Sequence, residues 1–288
     1  MKAIVIDGNS LVYRMFYASY NQLEYYKKNN FQPANALKLV LLVVLKLINN
    51  TKYDFSLVAF DSGKKTLRHD MFSDYKKNRP MMPEELASQM PLIEEAIETL
   101  GIRAFKIDRI EADDIIGSFS KIMNNDNVEV DIYSSDKDML QLVNNLTTVN
   151  LFKTGISDIL SINEQNITQH YHGLTPKQVI DFKAISGDAS DNIPGIKGIG
   201  PTTASKLIVQ YGSIESIYSH IEEITGTLKE KLILNKDIAF LSKQIATIDT
   251  NILNDDSIYN FVNKGIDKEK LNKIITRHHF TGFDKYII

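Results

Sequence analysis

Hydrophobic positions in the first half of the chain alternate between two periods. KAIVID at residues 2–7 and SLVAFD at 56–61 are apolar β-type segments that end on an acid. IRAFKID at 102–108 reads as another strand, and VEVDIYSS places Val128, Val130 and Ile132 at alternate positions, on one face. Between these runs the spacing turns helical. Asn35 to Ile48 forms one such run, and Leu92, Ile93, Ala96, Ile97 and Leu100 form another within 84–100, with Gly101 as its stop. Ile115, Ile116, Phe119, Ile122 and Met123 repeat the helical stripe. Alternating β and α elements predict an α/β fold, a mainly parallel sheet covered by helices.

Beyond about Ser161 the pattern becomes mostly helical, through TPKQVIDFKAIS, TTASKLIVQYG and TLKEKLILNKDIAFLSKQI. We therefore expect an α/β core over residues 1–163, with a basic segment at about 62–100, and a helical domain over 164–288. No long Pro/Gly/Ser linker separates them, and the tail from Ser257 onward shows no clear pattern.

The strand ends carry the chemistry. Asp7 and Asp61 close the first two strands, and Asp136 and Asp138 follow the VDIYSS run. IEADD adds Glu111, Asp113 and Asp114, and GDASD adds Asp188 and Asp191. Strand-terminal acids of a parallel sheet lie along its carboxyl edge, where ligands of α/β proteins bind. Carboxylates held together repel one another unless cations neutralise them, and sites without histidine or cysteine suit magnesium or manganese rather than zinc. Taken singly, Asp113 and Asp114 also suit a helix start, and Asp188 and Asp191 an exposed face.

Composition changes the picture in two places. The chain has 288 residues, 43% of them apolar, and no cysteine, which removes disulfides and thiolate sites and fits a reducing, cytoplasmic setting. The run at 37–48 contains Lys38 and Lys46 and is too short to span a bilayer, so no membrane partner is expected. Net charge is −3, which argues against a polyanion partner until the acids are located. Nine of the 36 acidic residues lie in the five clusters, leaving 27 against 33 basic residues elsewhere.

Those basic residues are concentrated. Lys64, Lys65, Arg68, Lys76, Lys77 and Arg79 fall between Ser62 and Pro80, with Phe72 and Tyr75 among them, which suits a segment that holds phosphates and stacks on unpaired bases. In GIKGIGPTTASKLI, Gly195, Gly198 and Gly200 permit a tight turn and Pro201 suits a first helical position. The following helix N-terminus can hold a phosphate. The preceding segment is helical, so neither a dinucleotide fold nor a P-loop is indicated. Helix, glycine hairpin and helix together form a unit that grips the DNA backbone without reading bases. Its candidate contacts are Gly195, Lys197, Gly198, Gly200, Thr202, Thr203 and Lys206.

IVIDGNSLVYR, AFDSGKKTLRHDMFSDYKKNRPMMP, IEADDIIGS, SSDKDMLQL and GDASDNIPGIKGIGPTTASKL, in this order, resemble the 5′-nuclease family, over roughly residues 2–250. That family comprises the 5′→3′ exonuclease domain of bacterial DNA polymerase I and the flap endonucleases. The resemblance implies a PIN-like sheet with a helix-hairpin-helix domain. It implies two-metal hydrolysis by Mg²⁺, with Mn²⁺ as substitute, of DNA bearing a 5′ flap, 5′ overhang or nick, including RNA–DNA primers, in replication and repair. By the same carry-over, Asp7, Asp61, Glu111, Asp113 and Asp114 serve a first metal region, and Asp136, Asp138, Asp188 and Asp191 a second. Lys76, Arg79 and Arg14 are implied as catalytic cations, Arg68, Tyr75 and Lys77 as DNA contacts, and hairpin carbonyls as a K⁺ site. QPANALKLVL at 32–41 departs from the family's glycine-containing stretch, and a free-standing, monomeric nuclease is expected. A catalytically silent junction-binding module and a PIN-type ribonuclease are the competing readings.

Overall fold

The structure is a computed structural model that describes residues 1–153, 158–253 and 256–287. Six strands form one sheet: β1 (Lys2–Asp7), β2 (Phe55–Ala59), β3 (Arg103–Phe105), β4 (Glu129–Ser134), β5 (Thr147–Phe152) and β6 (Ile159–Ile162). Their order is β3-β2-β1-β4-β5-β6, parallel throughout except for the antiparallel β5–β6 pair. The chain runs outward from β1 to β2 and β3, then returns to the other side of β1 as β4. The seam between β1 and β4 is therefore a topological switch point, the crevice where open α/β sheets take ligands.

Strand periodicity decides which face becomes the site. Ala3 and Val5 of β1, Leu57 and Ala59 of β2, and Val130 and Ile132 of β4 pack under the helix Ala112–Asn125. Ile4, Ile6 and Val58 face the opposite layer, made by the helices Gly8–Ala18, Asn35–Asn50 and Met90–Thr99. Continuing the period of two brings Asp7, Asp61, Ser134 and Asp136 onto the Ala3 side at the carboxyl edge. Glu111 stands at the N-cap position of the helix Ala112–Asn125 there, which delivers Asp113 in its first turn.

The helical second part shares its core with that face. Phe182, Ile185, Leu207 and Ile208 belong to one continuous apolar cluster with Val5 and Ile132. Helices Gln178–Ser186 and Pro201–Tyr211 flank the hairpin as expected. Gly195 and Gly198 have φ of +59° and +80°, and Gly200 is the extended N-cap before Pro201.

The structure departs from the sequence reading, or goes beyond it, in four places. The helix expected over 84–100 is broken into Glu84–Ala87 and Met90–Thr99, and β5 and β6 had no clear signal in the sequence. GNSLVYRMFYA after Asp7 is helical. The tail does not belong to the helical domain: Leu271, Ile275, Phe280 and Phe283 bury against Leu41, Ile93 and Ile97. Backbone bonds reinforce it, Asn263 N to Asp54 O, Lys264 N to Gly101 O and Asp267 N to Thr99 O. Gly101, at φ +78°, stops its helix where a Cβ would lie 2.3 Å from Gly265 O, so the close approach of the tail needs this glycine. Among the described residues no helix is long and apolar enough to cross a membrane.

Candidate active site

A cleft of about 660 Å³ opens at the carboxyl edge, lined by six of the nine acids: Asp7, Asp61, Asp113, Asp136, Asp138 and Asp188. Four of them are fixed by accepting from a backbone N–H. Asp7 Oδ1 caps the following helix by accepting from Ser10 N at 2.9 Å, and its Oδ2 accepts from Ser134 Oγ at 2.6 Å. Asp61 Oδ1 accepts from Ala112 N at 2.8 Å. Asp136 Oδ1 accepts from Asp138 N at 2.8 Å, capping the 3-10 turn Lys137–Leu142 that carries Asp138. Asp188 Oδ1 accepts from Ser190 N at 2.8 Å and from its hydroxyl. Among the described residues no hydroxyl or backbone N–H reaches the buried Asp138 Oδ1, whose charged neighbour is the Lys183 ammonium.

Burial, then mutual repulsion, sets the electrostatics. Burial pushes the Asp7 carboxyl up to about 6, with Asp136 and Asp61 adding to the rise. Burial and Asp136 lift Asp138 to about 7 despite Lys183, and Asp113 is raised well above the carboxylate range by burial and Asp136. Asp188 is half-exposed; burial raises it, but Lys183 and Ser190 outweigh that and hold it at about 2.

The remaining three acids are committed to protein cations. Glu111 accepts from Thr66 Oγ1 at 2.8 Å, Lys76 Nζ at 2.8 Å and the Tyr75 hydroxyl at 3.0 Å. Burial pushes Glu111 up, yet Lys76 and Arg68 bring it below its usual value. Asp191 accepts from Arg79 and, at 3.2 Å, from the Tyr75 hydroxyl. Asp114 forms a two-pronged pair with Arg68 at 2.6 and 2.7 Å, outside the cleft.

These pairings redraw the basic segment. Arg68 is buried and also donates to Ile245 O and Thr247 O, so it anchors structure and cannot touch DNA as placed. Tyr75 is 3% exposed with its hydroxyl engaged, which leaves no ring face for an incoming base. Lys76 and Arg79 do line the cleft, whereas Lys77 is exposed and paired with Asp74. The segment lies against the 188–193 loop: Lys76 N donates to Asp191 O, and Asn192 Nδ2 to Asp74 O. Arg14 bonds Ser135 Oγ, Lys153 O and Phe152 O, which ties its helix to the ends of β4 and β5.

In the hairpin, Lys197, Gly198, Gly200, Thr202 and Lys206 are exposed and Thr203 is half-buried. Gly195 is buried, and a Cβ there would lie 2.2 Å from Gly187 N, so it shapes the loop instead of meeting a ligand. Lys231 Nζ donates to Gly198 O at 3.0 Å, placing an ammonium on a carbonyl expected for K⁺. Sequence reasoning missed Lys183, Tyr13 and Lys137, which also line the cleft. A signal for Lys183 exists, since it stands between Phe182 and Ala184 in an otherwise buried stretch.

The donor set fits hard divalent cations: it offers oxygen alone, with several carboxyls raised by burial and each other. As placed, no group of three or more acidic or histidine side chains among the described residues closes around one point. Protein cations stand among the acids instead: Lys183 at Asp138 and Asp188, Lys76 at Glu111, Arg79 at Asp191.

A parallel sheet with an acidic cleft at its switch point and an attached helix-hairpin-helix defines a nuclease of the 5′-nuclease class. The chain belongs to the 5′-3′ exonuclease family: residues 2–172 match its N-terminal resolvase-like domain and 174–269 its C-terminal SAM fold. A 5′-3′ exonuclease of Mycoplasma pneumoniae is 39% identical over 276 residues, covering 96% of this chain and 95% of that protein. DNA polymerase I of Bacillus subtilis is 40% identical over 271 residues, covering 94% of this chain but 30% of the polymerase. Among solved structures, T5 5′-exonuclease with bound zinc ions superposes with TM-score 0.71 at 20% identity, covering 96% of this chain and 98% of that one. The catalytic core of Rad2 in complex with DNA substrate gives 0.64 at 16%, covering 99% and 90%. At such identities these structures speak for the fold.

Proposed function

We propose that this chain is a Mg²⁺-dependent, structure-specific 5′→3′ exonuclease and flap endonuclease, acting as a cytoplasmic monomer on DNA with a 5′ flap, overhang or nick, RNA–DNA primers included. One observation carries the reading. Six carboxylates, from the ends of β1, β2 and β4, the helix Ala112–Asn125 and the helical part, line a single cleft, and one of them, Asp188, lies within the helix-hairpin-helix, between its first helix and the glycine turn. That proximity joins hydrolytic chemistry to a grip on the DNA backbone.

Asp7, Asp61 and Asp113 would hold one ion, and Asp136, Asp138 and Asp188 a second. When bound, divalent cations supply charge that lowers the pKa of water and neutralises a scissile phosphate, and Mn²⁺ can substitute. Metal ions also appear in a T5 flap endonuclease complex with DNA. Glu111 and Asp191 then act through their partners, orienting Lys76 and Arg79 so that both project positive charge into the cleft. The exposed hairpin, with Lys197 and Lys206 beside the N-terminus of Pro201–Tyr211, would take backbone phosphates. K⁺ at the hairpin would have to share Gly198 O with Lys231.

The test is cleavage of end-labelled 5′-flap DNA across a Mg²⁺ titration, beside matched single-stranded RNA. We expect flap cleavage that Asp138→Ala abolishes with DNA binding retained. Flap DNA left uncut with either Mg²⁺ or Mn²⁺ would favour a silent junction-binding module, and preferential RNA cleavage would favour a PIN-type ribonuclease.

A further inference from the structure

Lys183 is a buried cation for which the chemistry above has no use. It lies in the helix Gln178–Ser186, and its side chain is 9% exposed. Its ammonium contacts two carboxylates from different parts of the molecule, Asp138 on the turn after β4 and Asp188 on the loop leading to the hairpin. The contact to Asp188 Oδ2 is 2.5 Å, and Tyr171 lines the cleft beside it. Burying a lysine costs several kcal/mol unless anions compensate, and a buried ion pair seldom stabilises more than an apolar pair of the same shape. Stability alone is a weak reason for this residue.

The atoms it touches are more informative. Asp188 Oδ1 is taken by Ser190, leaving Oδ2 as the oxygen free for a cation, and Lys183 holds it. At Asp138 the ammonium stands at Oδ1, the buried oxygen that has no other donor among the described residues. A divalent ion entering between Asp138 and Asp188 meets the space that this ammonium fills. Two like charges cannot both sit between the same two carboxylates without strong repulsion, so ion and ammonium oppose each other there. A lysine stem has four rotatable carbons and three donors, so its head can leave for another anion nearby. In a nuclease cleft the anion that arrives is a phosphate.

We propose that Lys183 is a resident cation of the second ion position: it clasps Asp138 to Asp188 in the metal-free protein and yields them to a divalent ion when a substrate phosphate accepts its ammonium. This rests on the two-ion reading of the cleft. Lys183 is a positioning residue in this scheme, and it defers the second ion until DNA is seated.

Mn²⁺ binding, followed by calorimetry and by the loss of free-ion paramagnetic signal, tests this on the full chain without DNA. Wild type is expected to bind one ion more tightly than the other. Lys183→Met should tighten the weaker class by about tenfold or more, equivalent to about 1.4 kcal/mol, and leave the tighter class little changed. Lys183→Arg, which keeps the charge, should bind as wild type does. Metal-free Lys183→Met should also melt lower than wild type and regain the difference in Ca²⁺. Lys183→Gln gives the same readout if the methionine variant does not fold. Unchanged or weakened binding of the second ion in the uncharged variants overturns the proposal. Absence of stoichiometric Mn²⁺ binding to wild type, unaffected by Asp7→Asn, would instead overturn the metal reading and the Lys183 scheme with it.

Discussion

The Ser134 hydroxyl donates to Asp7 Oδ2 at 2.6 Å, joining the end of β4 to the end of β1 across the switch point of the sheet. The bond points a buried carboxylate into the cleft while its other oxygen caps a helix. Asp7→Asn keeps the shape and removes a charge that burial disfavours. The metal-free variant should melt at or above wild type, by an amount on the order of 1–3 kcal/mol, and lose flap cleavage by more than about a hundredfold. Melting curves and initial rates read both; a lower melting temperature would show that the charge stabilises the fold.

Raised carboxyls give stability a definite pH direction. Asp7 at about 6 and Asp138 at about 7 bind protons in the folded protein that they have released in the unfolded chain. Stability from these groups is therefore greatest below the unfolded carboxylate range and falls as pH rises through about 4 to 7. Mg²⁺ binds the ionised form, so its stabilisation should grow over the same interval. Melting with and without Mg²⁺ at pH 5 and pH 8 checks this, and an equal shift at both would count against it.

Arg68 and Asp114 should behave as a stability element. Arg68→Met leaves Asp114 buried and unpaired and is expected to cost about 3–5 kcal/mol. Adding Asp114→Leu should recover much of that loss. Chemical denaturation of both singles and the double gives the coupling, and no recovery in the double would point to a separate role for Asp114.

Lys197 and Lys206 are exposed beside the hairpin. If each meets a phosphate, replacing either by alanine should lower the salt dependence of DNA binding by about one unit in log–log slope. Binding isotherms over a salt series measure it, and an unchanged slope assigns that lysine to solvent.

Phe283 is 1% exposed, packed among residues of the core helices and the tail. Phe283→Ala should cost about 3–5 kcal/mol, with cleavage below the melting transition preserved. Loss of activity in a fully folded variant would mean that the tail reaches the site by another route.

Much of the fold and of the acid set was legible in the sequence. The runs at 2–7 and 56–61 and the alternation at 128–132 gave three strands because side-chain period is a local property of the backbone. Asp7, Asp61 and Asp136 were placed at the carboxyl edge by the same rule, and GIKGIGP announced its hairpin because positive φ is a demand on single residues. The tail was illegible because it has no core of its own, and its pattern has meaning only against Ile93 and Ile97.

What the sequence determined by itself is thus the sheet face, the edge and the supply of carboxylates, all set by local periodicity and by like charges that need a cation. Which acids open to the cleft and which close on a protein cation was decided by tertiary structure alone. Asp113 and Asp114 are neighbours in sequence, yet one faces the site and the other pairs with Arg68, because successive helical residues point about 100° apart. Lys183, Asp138 and Asp188 meet only when the helical part docks on the sheet, since partners in a buried ion pair are chosen by distance in space.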